Sequence, residues 1–205
     1  MDRQEYLNQI SKSNQSVNKS KRSGIFASKF FWVAVVGVVA LILIIIVGSA
    51  LGSGKSSTKE KVFSLILHTK NVSEIVGEYQ PNIKSSDLRS YSASLNSILS
   101  DTNSKITEYA ENKYKYKEKD VKKSIAEEEA AAKDSLTNEL FEAKINGNLD
   151  RVYAHKMAYE ISLIATYETQ IIKSANDETL ENILNTSYES LDNLYSKFND
   201  FSEAN

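Results

Sequence analysis

The residues best suited to chemistry are two histidines and the carboxylates near them. A helical bundle holds a di-iron or di-manganese centre when two helices each turn a Glu-x-x-His motif inward. His68 and His155 follow Leu65 and Val152 at that spacing, so neither completes the motif. The sequence therefore predicts no metal ligands.

Glu160 and Glu168 flank the apolar stripe of the same predicted helix as His155. We interpret both as solvated carboxylates at the edge of that stripe. The alternative is a small-ligand or metal-binding (ferritin-like) site built from these three side chains and nearby tyrosines. The run Glu127-Glu128-Glu129 precedes three alanines and predicts the solvent face of a strong helix former.

Enzymatic signatures are missing from the sequence. It contains no Gly-rich phosphate loop, no nucleophile elbow and no His-Glu-x-x-His zinc motif. The complete lack of cysteine excludes thiol catalysis, thiolate zinc sites and disulfides. We predict a protein that is not an enzyme, with no catalytic residues and no cofactor.

Tyrosines are the most informative aromatic residues. Six of them fall on or beside predicted apolar stripes: Tyr91, Tyr109, Tyr153, Tyr167, Tyr188 and Tyr195. Buried rings with hydroxyls at the rim are the favoured interpretation. A binding groove lined by tyrosine is the alternative, because aromatic residues are enriched at interfaces.

The segment Lys113-Tyr114-Lys115-Tyr116-Lys117 alternates cations with aromatic rings. Such a pattern can grip an anionic polymer or anionic lipid headgroups. A solvated lysine-rich turn is the simpler interpretation. Because the whole chain has 25 Lys and Arg against 27 Asp and Glu, we predict no nucleic-acid partner.

Residues 30 to 54 carry no charge, and residues 30–51 are apolar almost without interruption. As a helix, 22 residues extend about 33 Å, enough to cross a bilayer core of about 30 Å. We predict a single transmembrane helix there, in contact with the lipid bilayer. The alternatives are a core helix of a soluble protein and a signal peptide cleaved after Ala50.

The flanks of this segment predict its orientation. Residues 1–29 carry six cations and two acids, and five of those cations lie at positions 12 to 29. Positive charge is retained on the cytoplasmic side. We predict a disordered basic cytoplasmic tail (1–29), a linker (52–57) and an extracytoplasmic domain (58–205), hence a single-pass cell-membrane protein.

We predict that the extracytoplasmic domain is all-α, because the chain after Gly54 contains only two glycines and one proline. Apolar residues recur every three or four positions in five segments, which begin near Thr58, Ser86, Val121, Leu149 and Leu180. We predict an up-and-down antiparallel bundle of four to five long helices. Two points stay open: whether the first helix joins the bundle, and whether Lys113 to Lys123 is a turn near an Asp120 cap or part of one long helix.

The chain resembles uncharacterised single-pass envelope proteins of small-genome bacteria such as Saccharibacteria. The likeness lies in the Ser/Asn/Lys-rich leader, the Phe30-Phe31-Trp32 start of the span and the segment from Leu88-Arg89-Ser90-Tyr91 to Asp101-Thr102-Asn103. That resemblance implies an envelope location and no particular activity.

The expected function is therefore a membrane-anchored bundle displayed outside the membrane, for protein interaction or envelope organisation. Its expected partner is an envelope or extracellular protein. Heptad seams such as Leu180 to Phe201 also permit a homo-oligomer.

Overall fold

The computed structural model describes residues 57–204, and these form five long helices. They are α1 (Thr58–Tyr79), α2 (Ser86–Tyr114), α3 (Lys123–Ile145), α4 (Leu149–Ser174) and α5 (Glu178–Ala204). Short 3-10 segments, Gln80–Asn82 and Glu118–Asp120, follow α1 and α2. Within the described range no residue forms a β-strand, so the all-α prediction is confirmed.

The predicted tail, transmembrane helix and most of the linker lie outside the described residues. Between residues 57 and 204, none of the helices is both long and apolar enough to cross a bilayer.

Helix α1 is the centre of the bundle. Its N-cap Ser57 accepts a hydrogen bond from the backbone N–H of Glu60 at 3.3 Å, as the spacing of this pair predicts. Half of its 22 residues are buried, a larger share than one apolar stripe provides. It packs against α2, α3 and α4 at once, which resolves whether the first helix joins the bundle.

Helix α1 and three of the other helices form a ring of four. Helices α1, α2, α5 and α4 contact one another in that cyclic order, and α3 packs outside the ring against α1 and α4. Lys122, just before α3, pairs with Glu60 at the start of α1, while Tyr79 at the end of α1 donates to the carbonyl of Thr137 at 2.9 Å. Helix α3 therefore runs parallel to α1 although both are antiparallel to α4.

The segment after α2 is a turn, as the favoured interpretation predicts, and not part of one long helix. Lys115 takes the left-handed conformation (φ 57°), and the N–H of Tyr116 bonds to the carbonyl of Ala110 at 3.1 Å. The helix thus ends at a left-handed residue, in a position that glycine usually occupies. Asp120 lies in the 3-10 segment and Lys122 takes the N-cap position, so the predicted cap is displaced by two residues.

The predicted stripes differ from the buried faces of α2 and α3. On α2 the seam includes Ser92, Leu99 and Ala110, because this helix must face both α1 and α5. Periodicity predicts Tyr91, Ile98 and Tyr109 in the apolar stripe of α2, whereas the structure places them at half-buried edges.

Helix α3 is covered on one side only, and its narrow buried face consists of Glu129, Leu136, Leu140 and Ala143. Periodicity also predicts Ala132 and Phe141 in the apolar stripe of α3. In the structure Ala132 is exposed and Phe141 is 55% exposed.

One carboxylate fastens the connection between α1 and α2 to the start of α4. Asp150 accepts hydrogen bonds from the backbone N–H groups of Lys84 at 3.0 Å and Ser85 at 2.8 Å. Since Ser85 is also the N-cap of α2, the contact fixes where that helix begins.

We expect Asp150→Ala to lower the free energy of unfolding by about 1–3 kcal/mol, because it leaves two backbone donors without a charged acceptor. Urea unfolding followed by circular dichroism measures the change. Asp150→Asn retains one acceptor oxygen and should cost less. Equal stability of the Ala variant and the wild type would contradict this role.

Candidate functional site

A cluster of three ionisable side chains lies in the core where α1, α3 and α4 meet. Because α1 packs against α2, α3 and α4, His68 is buried and only 5% exposed. Its Nδ1 lies 3.0 Å from Oε2 of Glu129 on α3, and its Nε2 lies 3.0 Å from Oε2 of Glu160 on α4. The first contact is a hydrogen bond. The second has an ion-pair distance without normal hydrogen-bond angles.

The two carboxylates keep the His68 ring positively charged. Burial by itself lowers the pKa of this imidazole, but the hydrogen bond to Glu129 and the charge attraction of Glu129 and Glu160 outweigh it and raise the pKa to about 10. A cation thus holds two carboxylates from different helices at one point.

The cluster is sealed on its remaining sides. The Tyr167 ring lies 5.7 Å from the His68 ring between centroids, and the Asn71 amide donates to the Glu129 carbonyl at 3.3 Å. The adjoining void measures about 10 Å³, no more than the space one water needs. Since no substrate fits there, the arrangement supports a structural role for these groups.

Removing the cation alone should be costly. His68→Leu leaves Glu129 and Glu160 buried without a counter-charge, which lowers the free energy of unfolding by about 3–5 kcal/mol. Urea unfolding at pH 7 measures the loss. A triple variant, His68→Leu with Glu129→Met and Glu160→Met, removes all three charges and should recover most of it.

The same cluster predicts a loss of stability in alkali. The folded-state pKa of His68, about 10, lies above its ordinary value of 6.5. Its contribution is therefore fully present below pH 6.5 and is lost as the pH rises through 10. The triple variant is the control and should lack this slope. Parallel pH profiles for it and the wild type would contradict the assignment.

A second buried carboxyl, Glu168 on α4, is fully inaccessible to solvent. Burial raises its pKa to about 8, and the nearby Ser187 hydroxyl of α5 only partly opposes this. Among the described residues neither of its carboxyl oxygens has a hydrogen-bond partner of normal geometry. Glu168 is therefore mostly protonated at neutral pH.

Glu168 should make the protein less stable as pH rises. Its folded-state pKa of about 8 exceeds the ordinary 4.5, so the unfolded chain ionises first and stability falls between those values. Glu168→Gln should match the wild type near pH 4.5 and exceed it by roughly 3 kcal/mol at pH 7. Thermal melts across pH test this, with the exposed Glu178→Gln as control. A wild-type slope retained in Glu168→Gln would sink the assignment.

On the surface, an open groove runs between α4 and α5 with a volume of about 470 Å³. Tyr188 and Tyr195 of α5 line one wall, each 39% exposed. The other wall is the α4 face from Ile161 to Lys173. Tyr188 and Tyr195 therefore lie in a groove, as the alternative interpretation of the tyrosines expects. Tyr153 and Tyr167 are buried, as the favoured interpretation predicts.

The expectation of solvated carboxylates was wrong for three residues. Glu160 and Glu168 are buried, and Glu129 turns inward from its acidic run. Helix α4 buries a wider arc than its apolar stripe marks, because it contacts α1, α3 and α5. His155 is exposed, so the structure does not bring it together with the two α4 carboxylates.

The sequence analysis assigned His68 no role. One signal in the sequence could have indicated that His68 is buried. It lies within an apolar face that is wider than one helical stripe. Among residues 57–204, no group of three or more His, Asp or Glu side chains has a geometry that could hold a metal ion.

The lysine–tyrosine segment uses its rings for packing. Tyr116 is buried, with its ring centroid 4.7 Å from that of Phe63, and Tyr114 lies 5.8 Å from Tyr109. Lys113 pairs with Asp177 at 3.1 Å. The segment is thus a turn with exposed lysines at the end of the bundle where α1 begins, and Tyr116 is not free to stack on a ligand.

Comparisons with known proteins gave no match: no family model, no curated protein and no solved structure is significantly similar to this chain.

Proposed function

We propose that the chain is a non-enzymatic, membrane-anchored helical bundle, displayed outside the cell membrane, that binds a component of the envelope. Support for the anchor comes from the sequence alone: the uncharged segment 30–51 and the cations that precede it. The envelope resemblance agrees with this location.

A non-enzymatic role is supported by where the perturbed ionisable groups lie. Active sites gather such groups in clefts that substrates can enter. Here His68 and Glu168, whose pKa values are strongly raised, lie in the packed interior. The void beside His68 holds no more than one water.

The groove between α4 and α5 is the observation that carries the binding role. It is an open groove of about 470 Å³, and it presents two half-exposed tyrosines on one wall. Tyrosine combines an apolar face with a hydrogen-bonding tip and suits recognition surfaces. We place the partner-binding face here. A homo-oligomer stays a further proposal, but it would form through another surface, because Leu180, Leu191 and Phe198 of the α5 seam are buried within the bundle.

The proposed topology can be tested without background, because the chain contains no cysteine. Ala131→Cys places one thiol on an exposed position of α3, and Ser13→Cys places one in the predicted cytoplasmic tail. Expressed in a bacterial host, Ala131→Cys should react with a membrane-impermeant maleimide in intact cells.

Ser13→Cys is the matched control and should react only after lysis. Labelling of Ala131→Cys only after lysis would contradict display outside the membrane. Labelling of both variants in intact cells would contradict the proposed orientation.

A further inference from the structure

The groove between α4 and α5 is long and narrow. Its α4 wall extends from Ile161 to Lys173, about 18 Å along the helix axis. Tyr188 and Tyr195 stand two turns apart on the same side of α5, separated by about 10 Å. A linear ligand lying parallel to the helices would meet both rings in turn.

The chemistry of the walls disfavours an amphipathic helix as occupant. A helix that docks in a groove needs apolar pockets for its anchor side chains. Of the seven α4 residues that line the groove, only Ile161 and Ala165 are aliphatic. Between these aliphatic groups and the two tyrosine rings, a docked apolar face would also meet hydroxyl, amide and charged groups, and covering those without partners costs free energy.

Net charge in the groove disfavours an anionic polymer as well. Lys173 is the only cation of the lining and Asp192 its only acid. Nucleic acids and acidic polymers are recognised by several cations along the strand. The groove is close to neutral and therefore suits a neutral ligand.

Hydroxyl groups along α4 are oriented in a consistent way. Ser162, Thr166 and Thr169 each donate to a carbonyl of their own helix at 2.8 Å. Their donors are thereby used, and their oxygens remain able to accept hydrogen bonds. Gln170 adds both a donor and an acceptor.

We infer that this groove binds an extended, neutral, β-linked glycan strand. The apolar faces of sugar rings pack on Tyr188 and Tyr195, and ring hydroxyls donate to the oxygens along α4. The inference rests on the proposed function, since display outside the membrane brings the bundle among envelope polysaccharides.

The test uses the full chain, purified in lauryldimethylamine oxide because sugar-based detergents would compete for the groove. Isothermal titration calorimetry with chitohexaose in its fully N-acetylated form, a neutral β-linked hexasaccharide, should give saturable binding. Maltohexaose, whose α-linkages coil the strand, should bind at least about tenfold more weakly because it cannot lie along both rings.

Two tyrosine variants identify the site. Tyr188→Ala and Tyr195→Ala should each weaken chitohexaose binding about tenfold, since each removes one aromatic platform. Tyr188→Phe keeps the ring and should bind within about threefold of the wild type. Phe141→Ala is the matched control, because it removes an exposed aromatic ring of α3, outside the groove. Circular dichroism of each variant checks that it folds.

No binding of chitohexaose by the wild type, equal affinity for maltohexaose, or undiminished binding by both Ala variants would each overturn the inference. These outcomes are separate from the labelling result. A chain displayed outside the membrane that ignores both sugars keeps the proposed function and points to a protein occupant. If the chain binds chitohexaose but is labelled only after lysis, the glycan-binding inference stands and the proposed location outside the membrane is wrong.

Discussion

A single buried cation determines how three of the five helices meet. His68 on α1 lies 3.0 Å from carboxylates of both α3 and α4, and all three side chains are buried. Buried charges contribute little net stability compared with apolar residues of the same volume. However, any packing arrangement that separates two buried opposite charges is destabilised, because each charge is then buried without a partner. The cluster therefore acts as a constraint on how α3 is positioned against α1 and α4.

The constraint matters most for α3, which the apolar core holds least. Its buried apolar residues are limited to Leu136, Leu140 and Ala143, and it lies outside the four-helix ring. Polar contacts complete its attachment. Lys133 pairs with Glu74, Lys156 pairs with Glu139, and the Tyr79 hydroxyl donates to a backbone carbonyl of α3. Helix α1 in turn needs α3, because its buried arc is too wide for the ring helices to cover.

The molecule separates two kinds of polar chemistry. Ionisable groups with strongly raised pKa values lie in the interior, where they specify packing and couple stability to pH. The open surface between α4 and α5 offers hydroxyls, an amide and tyrosine tips that exchange hydrogen bonds with water. Interior groups are fixed by their neighbours, whereas the groove residues are half-exposed and accessible. This division agrees with the proposed role of the surface in recognition.

Local pattern alone predicted much of the fold. The three- and four-residue spacing of apolar side chains and the Ser57 cap indicated five helices, and all five are present. These features depend on neighbours in sequence, so the sequence is sufficient to predict them. The predicted stripes were least accurate on α2 and α3. Helix α2 packs against two helices and α3 is covered on one side only, and periodicity does not define how wide the buried arc is in either case.

The site depended on contacts between residues far apart in the chain. His68 and Glu129 are separated by 61 positions, and no spacing rule relates them. Glu160 and Glu168 resemble edge residues until α1 and α5 cover them, because burial is a property of the assembled bundle. The sequence by itself determined the helices, their turns and the uncharged segment that precedes them. Only the tertiary structure decided which polar groups would be enclosed, because that depends on how many helices surround each face.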